Sequence, residues 1–389
     1  MQYDFDKHIS RRGTGSVKFD GLKEYFGEKD LLPMWVADMD FRVPDCIITA
    51  LRRRADHGIF GYPLVTGEFY SAIIKWMKIR HGWDVSADWI LFTPGVVPAL
   101  TMSVMACTRP GEKVLLQSPV YPPFFSAIKD NDRVLVNNQL VEEDGKYSID
   151  FNDLENKLSL GVRMMFFCNP HNPAGRVWSA NEVDRVAGLC RKYNVILISD
   201  EIHSDLIYRG HRHVPAAFSE SGTENLAICM APSKTFNLAG MATAFLIIPD
   251  TGLRNRIKRL IENLHIHYGN IFGHVALQAA YEGGGEWLDA LLDYLLVNRD
   301  MVTEFFAGEI PEIRPVVPEG TYLVWLDCRR TGMTDIELKR FFIKKAGIAM
   351  NPGPVFGPGG EGFHRLNIGC PRSVLAEALE KIKKAWQEH

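Results

Sequence analysis

Short apolar runs alternate with helical patterns between about Trp89 and Pro249. In the helical pattern from Asn181 to Tyr193, apolar residues recur at three- and four-residue spacing, and Pro98 to Cys107 and Tyr121 to Lys129 also have helical patterns. The apolar runs lie at residues 90–92, 113–117, 133–136, 162–168, 195–199, 226–230 and 244–248. Fully apolar strands that alternate with helices indicate a mostly parallel sheet with both faces covered.

The last hundred residues follow a different pattern. A helix-like stretch from Trp287 to Phe306 leads into the apolar segment P-E-G-T-Y-L-V-W-L. A helix, a strand and a helix are then predicted at 335–345, 365–368 and 372–386. We therefore predict an α/β protein with two domains and an N-terminal segment that packs with the smaller one. The predicted boundaries are 1–45 for the segment, 46–286 for a large domain with a seven-stranded sheet flanked by helices, and 287–389 for a small α+β domain.

Composition excludes several classes of function. The 389 residues are too many for one simple core, and 46% apolar and 23% charged residues are ordinary for a globular protein. The net charge of −3, without a basic stripe, gives no reason to expect a nucleic acid partner.

No apolar run approaches the ~18 residues that span a bilayer, and the start lacks the apolar core of a signal peptide. The seven cysteines are scattered without a C-x-x-C and are interpreted as mostly buried free thiols. We therefore expect a cytoplasmic protein with no membrane partner.

Candidate chemistry follows four of the apolar runs. Ligands of open α/β sheets bind beyond the carboxyl ends of the strands. Four segments follow these ends: T-P-G-V-V-P, N-P-H-N-P-A-G, D-E-I-H and A-P-S-K. They bring a glycine turn, Asn172, Asp200 and Lys234 to one edge of the predicted sheet.

Each of these features has an ordinary explanation when taken alone. Gly95, Val96 and Val97 open a helix whose free N–H groups favour an anion, but the same residues suit a simple strand-to-helix turn. Asp200 ends an uncharged strand, so it either caps the next helix or needs a protein cation or a bound cation. Asn172 lies among prolines and a glycine, as in a tight structural turn.

Lys234 is the only charged residue of A-P-S-K-T-F-N-L-A-G, between two apolar runs. It is either a solvated loop lysine or an amine made nucleophilic by desolvation, which lowers the pKa of lysine. Taken together, the amine, Asp200 and the helix start match an aldehyde, a basic ring nitrogen and a phosphate. One cofactor, pyridoxal phosphate, carries all three groups.

The motifs N-P-H-N-P-A-G, D-E-I-H, S-K-T-F-N-L-A-G and R-L-N-I-G resemble those of the fold-type I pyridoxal-phosphate enzymes, in the class I/II aminotransferase superfamily. The resemblance covers nearly the whole chain. It implies that Lys234 is bonded to the cofactor aldehyde, that Asp200 lies at the ring nitrogen and that Tyr121 stacks on the ring. It also implies that Asn172 contacts the ring 3-oxygen and the substrate carboxylate, and that Arg365 binds the α-carboxylate. Tyr62 is implied to reach the phosphate of the neighbouring subunit of a homodimer. The alternatives are a structural ion pair for Arg365 and a core aromatic for Tyr121.

Three positions depart from the usual aminotransferase pattern. Ala242 stands eight residues after Lys234, where an arginine commonly binds the phosphate. His203 replaces a tyrosine that commonly faces the ring 3-oxygen, and Ala231 replaces a hydroxyl residue, which leaves Ser233 as the nearby hydroxyl. These departures weigh against the ordinary aminotransferase assignment.

The stretch L-P-M-W-V-A-D-M-D-F at 32–41 favours a lyase. With T-P-G-V-V-P, D-E-I-H and R-L-N-I-G-C-P-R, it resembles the MalY/PatB group of carbon–sulfur β-lyases, which includes cystathionine β-lyases. The resemblance implies a sulfur amino acid substrate, cleaved to a thiol, pyruvate and ammonia. It also implies that the backbone around Ala37 and Asp38 lies near the substrate carboxylate. Our hypothesis for the mechanism is that Lys234 removes the α-proton and that Lys234 or Tyr121 protonates the departing sulfur. The ordinary explanation of 32–41 is a segment packed on the small lobe.

Other classes have less support. The nearest alternative is an aminotransferase that uses the same residues with a 2-oxo acid. S-K-T resembles the end of a P-loop, but the required G-x-x-x-x-G-K is absent. A zinc site at His211 and His213 lacks a third ligand nearby in the sequence. A non-catalytic regulatory protein on this scaffold would not need Lys234 and Asp200.

Overall fold

The computed structural model describes residues 3–389, so Met1 and Gln2 of the predicted N-terminal segment lie outside the described residues. This segment forms α1 (Val17–Asp20), α2 (Leu22–Phe26) and the two-residue strand β1 (Leu32–Pro33). β1 pairs in parallel with residues 348–349, so it joins the segment to the C-terminal part of the chain.

The middle of the chain forms the large sheet and a hairpin. Its strands are β2 (Ile90–Thr93), β3 (Lys113–Leu116), β4 (Val134–Asn137), β5 (Val141–Glu143), β6 (Lys146–Ser148), β7 (Val162–Cys168), β8 (Ile196–Asp200), β9 (Leu226–Met230) and β10 (Ala244–Ile247). Seven of them form one sheet in the order β2-β10-β9-β8-β7-β3-β4, while β5 and β6 pair as the hairpin. The strand β10 is antiparallel to both of its neighbours, and the other pairs within the sheet are parallel.

Helices cover both faces of this sheet. The helices of this part of the chain are α3 (Asp45–Asp56), α4 (Gly67–His81), α5 (Val96–Cys107), α6 (Pro123–Lys129), α7 (Phe151–Ser159), α8 (Ala180–Lys192), α9 (Pro232–Thr235), α10 (Thr251–Asn263) and α11 (Ile271–Gly283). Successive strand residues point to opposite faces, so Leu197 belongs to one apolar cluster and Ile198 to the other. This two-sided burial explains why the strands are continuous apolar runs rather than alternating ones.

The C-terminal part forms a smaller α+β domain. Its elements are α12 (Gly285–Glu309), β11 (Arg314–Val316), β12 (Leu323–Asp327), α13 (Asp335–Arg340), β13 (Ile348–Ala349), β14 (Asn351–Pro352), β15 (Phe363–Asn367) and α14 (Arg372–Gln387). Four strands make an antiparallel sheet in the order β11-β12-β15-β14. The predicted fold class, a mostly parallel seven-stranded sheet with a smaller α+β domain, is confirmed. The predicted boundaries at residues 46 and 287 stay predictions.

Element ends differ from the predictions at a few positions. The helix predicted from Tyr121 begins at Pro123, because Tyr121 precedes a proline and is therefore disfavoured in helical geometry. The helix predicted from Pro98 begins at Val96. The predicted helix 335–345 becomes α13 followed by a π-helical turn at 341–345.

All seven cysteines are free, Cys46 being half-buried and the other six buried. Within residues 3–389, no helix combines the length and the apolar character needed to cross a membrane.

Candidate active site

A cavity lies at the edge of the large sheet where the parallel strands end. Because β10 runs in the opposite direction, it begins at the edge where β7, β8 and β9 end, and Ala242 and Thr243 therefore join the cavity wall. The lining includes ten of the predicted site residues: Ala37, Gly95, Val96, Val97, Tyr121, Asn172, Asp200, His203, Ser233 and Lys234. Residues that are far apart in the sequence thus meet in one cavity, as expected from their positions after the carboxyl ends of the strands.

Lys234 lies in α9, directly after β9, with its side chain partly buried in the cavity wall. Its Nζ donates to the Ala37 carbonyl oxygen at 2.6 Å. Desolvation lowers the pKa of Lys234 to about 8, and the positive charge of Arg365 acts in the same direction. A hydrogen bond anchors the short helix, because the Thr235 hydroxyl donates to the Asp205 carboxylate at 2.8 Å. The amine is therefore partly neutral near neutral pH and fixed in position.

Asp200 is the last residue of β8 and is buried. Burial raises the pKa of its carboxyl to about 7, although the Ile202 N–H at 3.1 Å and the charge of Lys234 lower it. No residue in the described range 3–389 forms an ion pair with Asp200. Asp200 does not cap a helix, because a turn follows β8 and the Ile202 N–H contact lies within that turn. A protein cation is absent from these residues, and the cavity offers room for a bound cation.

Arg365 and Asn172 meet beside the cavity. The Arg365 guanidinium donates to the Asn172 side-chain oxygen at 3.0 Å, to the Trp35 carbonyl at 3.0 Å and to the Asn351 side-chain oxygen at 2.8 Å. Burial lowers the pKa of Arg365 to about 10, and its Nε has no hydrogen-bond partner among residues 3–389. Among the described residues Arg365 forms no structural ion pair, because its three acceptors are all neutral. A buried cation without a carboxylate favours an anionic ligand.

The start of α5 supplies backbone donors. Gly95 precedes the helix, and Val96 and Val97 occupy its first turn, where N–H groups have no partner within the helix. The side chains of Ser233 and Thr243 line the same cavity, and the Thr243 hydroxyl is buried without a partner in the part of the chain that the structure describes. This set of donors suits a phosphate.

Tyr121 and His203 complete the wall. Tyr121 is partly buried, and desolvation raises the pKa of its phenol. His203 is buried, its Nδ1 has no partner within residues 3–389, and desolvation holds its pKa well below the usual range. His203 is therefore a neutral imidazole whose Nδ1 can donate or accept one hydrogen bond with a bound group, according to its tautomer.

Asp38 and Tyr62 lie outside the cavity. The Asp38 carboxylate pairs with Arg11 at 2.6 Å and with Lys18 at 3.7 Å, and its backbone carbonyl accepts from Asn367 at 2.7 Å. Tyr62 is 95% exposed, and its ring centroid lies 5.9 Å from that of Tyr268. The role of Tyr62 at a neighbouring subunit stays a prediction.

Sequence reasoning missed two side chains at this site. Thr243 was missed because an apolar run does not reveal the direction of its strand, so the sequence did not predict that β10 is antiparallel. Tyr322 was missed because it precedes β12 in an apolar segment, yet its hydroxyl reaches the Ala37 carbonyl at 2.9 Å. The histidines considered for zinc lie elsewhere: His213 Nε2 contacts a Glu201 oxygen at 2.8 Å. Across residues 3–389, no group of three or more His, Cys, Asp or Glu side chains is arranged to hold a metal ion.

The residues present fit pyridoxal phosphate. The cavity offers an amine with a lowered pKa and, within residues 3–389, a buried carboxylate without a protein cation and a hydroxyl without a partner beside a helix start. Lys234, Asp200 and the start of α5 would hold the aldehyde, the ring nitrogen and the phosphate respectively.

Comparison with known proteins agrees with this interpretation. A model of the family described as aminotransferase class I and II matches residues 29–382. Cystathionine beta-lyase PatB from Bacillus subtilis is 45% identical over 98% of this chain and 99% of its own length. Protein MalY from Escherichia coli is 33% identical over 98% of both chains.

A solved structure extends the likeness to three dimensions. Cystalysin from Treponema denticola, whose crystal structure contains pyridoxal 5'-phosphate, matches with a TM-score of 0.97 at 38% identity, over 100% of both chains. The chain belongs to the aminotransferase class I and II family. The resemblance to the MalY/PatB group is confirmed.

Proposed function

We propose that the protein is a pyridoxal-phosphate-dependent carbon–sulfur β-lyase that cleaves L-cystathionine or related cysteine S-conjugates to a thiol, pyruvate and ammonia. The observation that carries this proposal is the Lys234 amine, which has a lowered pKa and lies in one cavity with Asp200 and Asn172. The likeness to PatB and to cystalysin supports the reaction class.

Three groups of residues hold the cofactor in this proposal. Lys234 would hold the aldehyde end of the cofactor, and Asp200 would keep the ring nitrogen protonated. Gly95, Val96 and Val97 with Ser233 would bind the phosphate. Tyr121 would contact the ring, and Asn172 and His203 would serve the ring 3-oxygen. When bound, the cofactor supplies an electron sink for the charge left at the substrate α-carbon.

The substrate carboxylate lies between the two domains. The Arg365 guanidinium, already held by Trp35 and Asn351, has the planar geometry that suits a carboxylate. Asn172 and the backbone around Ala37 and Asp38 complete this subsite. Fixing the carboxylate there orients the α-proton towards Lys234.

Lys234 moves the protons. A pKa of about 8 leaves part of the amine population neutral near neutral pH, so Lys234 serves as the base that takes the α-proton. The proton for the departing sulfur comes from Lys234 or from Tyr121, whose raised pKa keeps its phenol protonated.

The protein acts as a homodimer in the cytoplasm in this proposal. The loop between α3 and α4 exposes four large apolar side chains: Ile59, Phe60, Tyr62 and Leu64. Tyr268 lies beside this loop and is 44% exposed. Contiguous exposed apolar groups mark an interface, and here the partner is a second copy whose cavity receives Tyr62 at the phosphate.

The dependence of thiol release on a 2-oxo acid tests the reaction class. Thiol release from several cysteine S-conjugates is measured with and without an added 2-oxo acid. A β-lyase releases thiol at the same rate in both conditions, because no acceptor takes the amino group. Turnover that occurs only with the 2-oxo acid would mean an aminotransferase.

A further inference from the structure

The Ala37 carbonyl accepts two hydrogen bonds, one from each domain. Lys234 Nζ donates to it at 2.6 Å from the large domain, and the Tyr322 hydroxyl, just before β12 in the small domain, donates at 2.9 Å. Tyr322 is fully buried, and burial raises the pKa of its phenol well above the usual range. Its hydroxyl therefore remains a donor across the accessible pH range.

The carbonyls on both sides of Ala37 are held by the small domain. The Trp35 carbonyl accepts from Arg365 at 3.0 Å. The Asn367 amide donates to the Val36 carbonyl at 2.5 Å and to the Asp38 carbonyl at 2.7 Å. The backbone from 35 to 38 is thus fixed residue by residue, and the Ala37 carbonyl is the one that meets the Lys234 amine.

We propose that Tyr322 is a positioning residue for Lys234: its hydroxyl holds the Ala37 carbonyl where that oxygen accepts a hydrogen bond from the Lys234 amine. The inference rests on the proposed function only in taking Lys234 as the reactive amine. Tyr322 touches neither reacting group and acts through the Ala37 backbone.

This arrangement affects both the position and the protonation of the amine. A carbonyl oxygen accepts a stronger hydrogen bond from an ammonium than from a neutral amine, so a fixed Ala37 carbonyl favours the protonated form. It also holds the free amine in one place when it must take or return a proton. The other charged or titratable groups near Lys234 are Arg365, Asp200, His203 and Tyr121, and Asp38 acts on its charge from outside the cavity.

The test measures the titration of Lys234 directly in the full chain without cofactor. An acetylating reagent is applied in short pulses over a series of pH values, and mass spectrometry quantifies the modified Lys234 peptide. Tyr322→Phe removes only the hydroxyl. We expect its labelling midpoint to fall by about half to one pH unit, which is the size expected for losing one such hydrogen bond.

A matched control separates this effect from a general loss of structure. Tyr208 is also buried, but its hydroxyl has no partner among residues 3–389, so Tyr208→Phe should leave the Lys234 midpoint at the parent value. Tyr322→Met is a second variant without the hydroxyl and carries the same expectation as Tyr322→Phe. In the cofactor-loaded enzyme, Tyr322→Phe should lower kcat about tenfold, because a misplaced base reacts slowly.

An unchanged midpoint in both Tyr322 variants, or an equal shift in Tyr208→Phe, would overturn the inference. The outcome is independent of the reaction class. A parent enzyme that releases no thiol but shows the shift would overturn the proposed function and leave the role of Tyr322 standing.

Discussion

The Arg365 guanidinium donates a hydrogen bond of 3.0 Å to the Asn172 side chain, which joins the small antiparallel sheet to the cavity of the large one. Arg365 lies in β15 and Asn172 follows β7. The proposed substrate carboxylate subsite therefore takes residues from both domains, and its geometry depends on how they pack.

Arg365→Lys tests that subsite. Lysine keeps a positive charge but loses the planar fork and the contacts to Asn172 and Trp35. We expect KM for the amino acid to rise about 10- to 100-fold, the order expected from losing one hydrogen bond to a charged group. A substrate analogue without the α-carboxylate is the control, because its binding should be insensitive to the change. An equal loss for both substrates would contradict the assignment.

Lys234→Ala tests the reactive amine. The substitution removes the base and the covalent attachment of the cofactor together. Because a positioned base alone contributes about 10²–10⁴-fold, we expect a larger loss of thiol release than that. Lys258→Ala is the matched control, because Lys258 lies exposed on α10 and pairs with the exposed Glu262. Activity of Lys234→Ala within tenfold of the parent would rule out the role.

Asp200→Asn tests the ring-nitrogen partner. The variant keeps the shape of the side chain but not its charge. We expect weaker retention of cofactor and a large loss of thiol release, measured by cofactor titration and by a thiol reagent. Retention and rate equal to those of the parent would contradict the role of Asp200.

The same variant makes a prediction about stability and pH. Burial raises the pKa of Asp200 from 3.8 to about 7 in the folded chain, so the protonated form is the stable one when folded. The contribution of Asp200 to folding stability is fully present below the pKa that its carboxyl has in the unfolded chain, and it is lost as pH rises through about 7. In cofactor-free protein, the Tm of Asp200→Asn relative to the parent should therefore increase as pH rises from 4 to about 8. A difference in Tm that does not change with pH would contradict the raised pKa.

Mixing two inactive variants tests the predicted contribution of Tyr62 to a neighbouring site. A heterodimer of Tyr62→Ala and Lys234→Ala chains contains one site with both native residues. We expect each variant to be strongly impaired alone and the refolded mixture to recover activity. Ile79→Ala, which removes another exposed apolar side chain, should behave like the parent. No recovery in a mixture shown to contain heterodimers would contradict the shared site.

The sequence predicted the parts of the site that follow from strand ends. Asn172, Asp200 and Lys234 each stand just after or at the end of an apolar run, and the ends of parallel strands meet at one edge. Gly95 and Val96 follow the same rule through β2, which ends at that edge.

The sequence did not predict the contacts that depend on tertiary packing. The contact between Tyr322 and Ala37 spans 285 positions and uses a backbone oxygen, which has no side-chain signature. Thr243 reaches the cavity only because β10 is antiparallel, and an apolar run has no direction. Pairing of Asp38 with Arg11 likewise depends on how the N-terminal segment folds back.

The most direct test of the central claim is the product ratio from L-cystathionine, measured with cofactor-loaded protein and no 2-oxo acid. A β-lyase forms pyruvate and thiol in equal amounts over many turnovers. Absence of pyruvate, with a single loss of cofactor colour that recovers when a 2-oxo acid is added, would contradict the account and identify an aminotransferase.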